Sequence, residues 1–533
     1  MHNQYFPDFV STIPGIQPAF LLRRRFVFLL TVLIACASVS FAQKNISPGE
    51  MAQKLIHNPA FVDNPSGENF CWNACVNMDV FIDNYRLTHD KEWLNAGITY
   101  YDFLIGNMQA DPDGYKGWIG PSGYNPKYWQ DALVGDAIVL SGIMDFSVLA
   151  LEDAGLKKIY GKKAQQYVQI AERDFVKKWD ERGTWYEDGP YGSYMEFNKF
   201  LKPGDLTTWI KDEHYERAGI SHPFNKQMDA GILCLKLFRI TGNTFYRNRA
   251  ERIFFTAKSH FQYFDDHYCW NYFEPLTPAD VDLERKTTRH GVWVHPWRSG
   301  YQAGEVESIA QAYHYGIVFD EEDIKRIINT NLNVMWNKDR IHPKFISSNG
   351  LGADRDTSGR AAFREAYGHS TEFKNEGELW TGLLDFSQTI RDLYELRFKN
   401  DHTSREYLIY KKNIQQNPPG FKRKYVKGAV TVPAVHFTAS RDLSLATVLP
   451  HTIAKKDPSI IICQSRVPGN LRVDLYDTSG KLLLNIYKGH IDEGLFITTW
   501  DGKDPAARET YAGDYYIRWT TGGGYREFPV VVE

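Results

Sequence analysis

The spacing of apolar positions divides the chain near residue 400. From about 44 to 400 the period is helical. Met78, Phe81, Ile82 and Tyr85 fall at i, i+3, i+4 and i+7, and Val306, Ile309, Ala310 and Tyr313 repeat the stripe. Asp320 reads as a helix N-cap, with Glu321, Glu322 and Asp323 in the first turn and Ile324, Ile327 and Ile328 on the buried face. Two helix ends match without gaps, Tyr85-Arg86-Leu87-Thr88 and Phe238-Arg239-Ile240-Thr241. Each is followed five residues later by an aromatic, Trp93 or Tyr246, and then by Asn95 or Asn248. Such self-similarity predicts roughly six or seven stacked helical hairpins of about 50 residues each, which bury their faces against neighbours.

Beyond 400 the helical period fades. Pro418-Pro419-Gly420 and the basic Lys422, Arg423 and Lys424 read as linker with some strand, over 401–457. From Pro458 the period becomes two. Leu471, Val473 and Leu475 alternate with polar residues, and strands at 482–484, 496–500 and 515–519 follow between Gly/Asp turns. A small β-sandwich over 458–533 is expected.

The N-terminus has its own pattern. Arg23, Arg24 and Arg25 precede an apolar run over 26–35, and Ser40-Phe41-Ala42 precede Gln43. That order predicts a secretory signal over 1–42, and the run is too short to span a membrane. No later segment is expected to span one. Export places the chain in the periplasm, on the outer surface or in the medium, with a lipid anchor at Cys36 as a lesser alternative in Leu33-Ile34-Ala35-Cys36. The five cysteines after the signal are an odd number, which is no disulfide framework, and Cys71 and Cys75 are expected to pack rather than pair.

Composition narrows the chemistry. A net charge of −3, from 62 Lys+Arg against 65 Asp+Glu, argues against a surface built for nucleic acid. The 14 Trp, 31 Tyr and 32 Phe suit sugar-stacking clefts and large aromatic cores alike. No Walker loop, His-Glu-x-x-His or nucleophile elbow is present. No cofactor is required by the sequence; several histidines permit a divalent metal, but no spacing demands one.

The densest polar and aromatic cluster runs from His290 through Trp293, His295, Trp297, Arg298 and Tyr301 to Glu305. It follows Trp270-Asn271-Tyr272 and, earlier, His222-Pro223-Phe224-Asn225 at a helix start. This layout, over about 215–336, is similar to (α/α)-toroid polysaccharide lyases acting on uronic acids. Helical hairpins with long aromatic loops likewise resemble an (α/α) toroid or incomplete barrel of six or seven hairpins, here over 43–400. The C-terminal run from Val473 to Leu482, with Thr499-Trp500-Asp501-Gly502 and Ala512-Gly513-Asp514-Tyr515, resembles the immunoglobulin-like module of flagellar hook-cap type. That likeness implies an accessory or sorting role.

What the lyase likeness implies is β-elimination on an acidic polysaccharide or oligosaccharide. Tyr301 would be acid and base, with His222 or His290 the alternative base, and Asn225 and Arg298 would hold the carboxylate. Trp270, Tyr272, Trp297, His295, Glu305 and Trp129 are candidate substrate contacts. Free tyrosine has a pKa of about 10, and lowering it by roughly three units takes about 4 kcal/mol. An arginine about 4 Å away supplies that order at an effective dielectric near 20. Arg298 and Tyr301 stand at i and i+3 of the helix expected there. The rival is an unsaturated-glucuronyl hydrolase type with paired carboxylates, for which Asp131, Asp136, Asp188 and Glu274 are candidates and no pair stands out. A non-catalytic glycan-binding surface protein is the third reading.

Overall fold

The computed structural model describes residues 46–533 apart from 77, 123–124, 126, 212–217, 265, 291–299, 347–376, 427–429, 434–437, 454–457 and 504–509. The expected signal and Cys36 lie outside the described residues.

Helices α1 (Pro48–Ile56), α2 (Gly67–Cys75), α3 (Val80–Thr88) and α4 (Glu92–Gly106) open the fold. Three hairpins follow: α5 (Leu133–Glu152) with α6 (Ala154–Ala171), α7 (Phe224–Thr241) with α8 (Thr244–Ser259), and α9 (Gly300–Tyr315) with α10 (Glu321–Asn329). Helix α5 packs on α2 and α7, and α7 packs on α9, so these helices form an inner row. Close approach sets their spacing. A Cβ on Gly135 would lie 2.9 Å from Cys71 Sγ, and one on Gly142 would lie 2.8 Å from Met78 Sδ. Helix α5 is also long and apolar enough to span a membrane, which the sequence reading did not expect; 72% of that window is buried inside the fold.

The matched helix ends are alike in detail. Thr88 Oγ1 donates to Asn84 O at 2.7 Å and Thr241 Oγ1 to Leu237 O at 2.8 Å. The C-caps His89 and Gly242 are both left-handed, with φ of 58° and 71°. Trp93 and Tyr246 are both buried in the helices that follow.

The helices return to their start. The turn Thr381–Leu383 packs on α9, where Gly382 leaves no room for a Cβ beside the Glu307 backbone. Helices α11 (Gln388–Glu395) and α12 (Arg405–Gln416) follow, and α12 packs on α3. Lys412 Nζ donates to the carbonyls of Arg86 and Leu87, and the Arg405 guanidinium lies 4.5 Å from the Trp93 ring. The described helices therefore form a closed ring with α2, α3, α5, α7 and α9 toward its axis.

A hairpin of β1 (Trp185–Asp188) and β2 (Tyr191–Tyr194) projects from the ring toward the C-terminal sheets. Those contain β3 (Leu443–Leu449), β4 (Thr452–Ile453), β5 (Ser459–Ser465), β6 (Gly469–Asp477), β7 (Leu482–Ile491), β8 (Gly494–Trp500), β9 (Gly513–Thr521) and β10 (Gly524–Val532). One sheet has the order β3-β5-β8 and the other β4-β10-β9-β6-β7. Leu443, Val448 and Ile461 of the first share a core with Val473, Ile517 and Trp519 of the second.

Strand β3 falls inside the stretch expected to be linker with some strand, and so does α12, a helix that was not expected there. Every residue of β3 is buried. One face packs on the second sheet, and the other, through Leu445 and Leu449, packs with Val281 of the ring. A strand covered on both sides shows no period of two.

Candidate functional site

The rim at the start of α7 collects several predicted residues. An isolated bridge between Met195 and Ser221 runs the 194–196 and 220–222 segments side by side. His222 N donates to Tyr194 O at 3.1 Å, and Gln227 Nε2 donates to both Tyr194 O and His222 O. This pairing sets Glu196 beside His222, with Oε2 3.4 Å from Nδ1 and both side chains buried. Glu196 carried no signal in the sequence, because its partnership depends on a long-range bridge.

Asn225 stands in the first turn of α7, and its Oδ1 is buried with no hydrogen-bond partner among the described residues. Phe224 N donates to Tyr272 O at 3.2 Å, and the Tyr272 ring meets Tyr301 at 5.1 Å between centroids. Tyr301 is 43% exposed at the start of α9, while Tyr272 behind it is buried. His222, Asn225, Tyr272 and Tyr301 therefore share one rim. Lys226 Nζ, beside Asn225, pairs with Glu68 Oε1 at 2.8 Å.

Other predicted residues go elsewhere. Trp270 and Glu305, expected to touch substrate, are core residues, 1% and 0% exposed. Trp270 stacks on Phe261 at 4.7 Å, and its Nε1 donates to Glu305 Oε2 at 2.7 Å. Burial pushes the Glu305 carboxyl well above the usual range. His290 stacks on Phe273 at 3.7 Å with Nε2 3.5 Å from Asp280 Oδ1. Burial alone would raise the Asp280 pKa, but His290 and backbone donors that include Ser221 N outweigh it and hold it low. His290 thus anchors its loop to the segment that carries His222. Trp129 is half-buried in a short strand paired with Leu201. His295, Trp297 and Arg298 lie outside the described residues, so the Arg298–Tyr301 spacing has no measured counterpart.

The carboxylates weighed for hydrolysis are committed to structure. Lys178 Nζ lies 2.6 Å from both Asp131 Oδ2 and Asp136 Oδ2, with all three side chains buried. Arg182 pairs with Asp111, Asp113 and Asp131, and Trp179 Nε1 donates to Asp136 at 3.0 Å. Gly117 is required here, since a Cβ would lie 2.2 Å from Asp131 Oδ1. Asp188 and Glu274 face the C-terminal sheets. Asp188 accepts from Thr452 N at 3.0 Å and from His451, whose ring stacks on Tyr191 at 3.8 Å. Glu274 accepts from Asn271 Nδ2, which also donates to Ser444 O at 2.7 Å.

A different set of acids acts on one another from the inner helices: Asp79 and Asp83 at the start of α3, Asp145 on α5, Asp229 on α7 and Glu307 on α9. Lys236 pairs with Asp145 at 2.8 Å and Arg86 meets Asp83 at 3.4 Å. Burial and Glu307 push Asp229 up to about 7, against Lys226 and Lys236. Burial and Asp79 push Asp83 up to about 6. Asp79 and Glu307 are raised too, by burial first, although both residues are exposed to solvent. Asp79 holds the N-cap position of α3 but makes no side-chain cap bond. The sequence carried one unused hint, that Asp229 stands one turn after Asn225. No group of three or more His, Cys, Asp or Glu among the described residues is arranged to hold a metal ion.

No protein-family model matches the sequence, and no curated protein matches it. Among solved structures, the chain is similar to inactive double-aspartate variants of the α-1,6-mannanase GH76A of a Salegentibacter species, in complex with α-1,6-mannotriose and α-1,6-mannotetrose. Both are 15% identical and cover 66% of this chain and 85% of theirs, with TM-scores of 0.30 and 0.32.

Proposed function

We propose that this chain is an exported glycan-active enzyme that cleaves a uronic-acid-containing glycan by β-elimination at the rim of the ring. The observation that carries this reading is His222, oriented by Glu196 at 3.4 Å, on one rim with the 43% exposed Tyr301. His222 or the Tyr301 phenolate takes the proton next to the uronate carboxylate. The Asn225 amide donates a hydrogen bond to that carboxylate as charge develops on it. Tyr301 donates its proton to the leaving oxygen as the C–O bond breaks and a C=C bond forms. No water is consumed.

Asp229 favours a second reading. A carboxyl raised to about 7 beside another carboxyl, Glu307, is suited to general acid catalysis of hydrolysis. One assay separates the two. The mature chain is offered a panel of uronate and neutral polysaccharides while ultraviolet absorbance and reducing ends are followed together. Elimination raises both; hydrolysis raises reducing ends alone; a binding protein raises neither. In the favoured case Tyr301→Phe lowers kcat/KM by about 100-fold or more with the melting temperature unchanged. Full activity in that variant overturns the assignment of Tyr301.

A further inference from the structure

The seam between ring and sheets holds two buried histidines that the chemistry at the rim does not use. His260 ends α8, and His451 stands between β3 and β4. Each turns its Nδ1 to a buried carboxylate of the ring. His260 lies 2.5 Å from Glu274 Oε2, and His451 lies 3.2 Å from Asp188 Oδ2. Each also has a buried Nε2 with no hydrogen-bond partner among the described residues. The two rings are 6.4 Å apart between centroids, and both pack on Phe528 of β10, at 5.5 and 5.2 Å. Tyr191 of the β1–β2 hairpin closes the group, stacked on His451 at 3.8 Å and buried in the core of the sheets.

The titratable groups around the pair come from both sides. From the ring come Asp188, Glu274 and the phenols of Tyr186 and Tyr191, on both of which Asp188 acts. From the sheets come Tyr516, Arg466 and Arg526. Arg526 is 4% exposed, acts on Glu274, and has Nε and Nη1 unpartnered among the described residues. A neutral imidazole carries one N–H. With Nδ1 turned to a carboxylate, that hydrogen is assigned to Nδ1, and Nε2 is left bare. A second proton, on Nε2, creates a buried donor with no acceptor. It also sets a cation 6.4 Å from the other imidazole, where Arg526 already brings positive charge.

We infer that the seam is a pH-sensitive latch, closed while both imidazoles are neutral and loosened when either Nε2 takes a proton. The electrostatics has the same sign. Burial lowers the His451 pKa against the pull of Asp188. Its contribution to the closed seam is therefore present above the ordinary histidine value of about 6.5 and is lost as pH falls through the folded value. Burial would raise Asp188, but His451 and Thr452 hold it low, so its contribution too is lost toward acid. The latch reaches the rim. His260 meets Phe224, the first residue of α7, at 5.6 Å. Val281, packed with Leu445 and Leu449 of β3, follows Asp280, which accepts from Ser221 N. The segments that carry His222 and Asn225 are thus backed by the seam. The inference stands whether the rim eliminates, hydrolyses or only binds.

The test follows amide hydrogen exchange in the full mature chain from about pH 7 to about pH 4.5, corrected for intrinsic rates. Peptides over 185–194 and 443–453 are expected to lose about tenfold in protection at the acid end relative to the α5–α6 hairpin, on the scale of one unsatisfied buried donor. His451→Asn keeps an N–H for Asp188 but takes no proton, and it is expected to hold its seam protection there. Exchange of the histidine ring C2 hydrogens, read residue by residue in the unsubstituted chain, is expected to give His451 a midpoint below the ordinary histidine value. That measurement decides the matter if the variant fails to fold. Seam protection that is the same at both ends of the range, or lost equally in the variant, overturns the latch. So does a His451 midpoint at or above the ordinary value.

Discussion

Around Lys178 and Arg182, Asp111, Asp113, Asp131 and Asp136 are gathered with two cations among them and little solvent. Around the ring axis, Asp79, Asp229 and Glu307 are gathered with no ion pair among the described residues and with solvent at hand. In the first set, burial would raise Asp131, but Lys178 and Arg182 hold it low, while burial and Asp131 drive Asp136 high. The two aspartates are thus pushed in opposite directions around the same cations. In the second set Lys226 and Lys236 lower Asp229, and Lys236 lowers Glu307, but burial outweighs them and both stay raised. The same residue type thus serves as mortar in one place and as an unsatisfied lining in the other. The difference lies in whether a cation reaches ion-pair distance of the acid, as Lys178 does for Asp131 and Asp136.

The largest effect expected from breaking this contrast is at Lys178. Lys178→Met leaves buried Asp136 without a cation and Asp131 with Arg182 alone, and removing one partner of a buried pair costs about 3–5 kcal/mol. Urea titration at neutral pH checks it; a loss under about 1 kcal/mol would mean that the network is loosely held. A smaller effect of opposite sign is expected at the axis. Asp229 has a folded pKa of about 7, raised from 3.8, so it favours the folded state below the unfolded value and loses that contribution as pH rises through 7. Asp229→Asn should therefore melt like the parent at about pH 4 and be more stable above pH 7, by on the order of 1 kcal/mol. Thermal melts across that range check the sign. The smallest effect is expected at Glu305. Burial pushes its carboxyl well above the usual range, and a neutral amide keeps its shape, so Glu305→Gln should stay within about 0.5 kcal/mol of the parent and retain activity. A large loss of turnover would return Glu305 to the reacting groups.

How far the sequence led follows the range of the interactions involved. The helical hairpins were legible because Trp93 and Tyr246 repeat a local pattern, and both are buried where that pattern puts them. His222, Asn225 and Tyr301 were legible as polar groups at helix starts. Glu196, Glu68 and the axial acids were not, since their roles arise from helices far apart in the chain that meet only when the ring closes. Trp270 and Glu305 were misread as substrate contacts because a buried Trp–Glu hydrogen bond and a sugar platform draw on the same residue types. Strand β3 was expected only as some strand within a linker because, covered on both sides, it has no alternating pattern to show.

The seam between ring and sheets governs where the chain can be severed. Asp188 and Asn271 reach across it to Thr452 and Ser444. A break at 458 would separate β3 from β5 and leave three apolar strands of a sheet divided between two fragments. A break before 443 would strip Asp188 and Asn271 of those partners. Ring and sheets are accordingly expected to melt together, and two separate transitions in a calorimetric scan would show that either half stands alone.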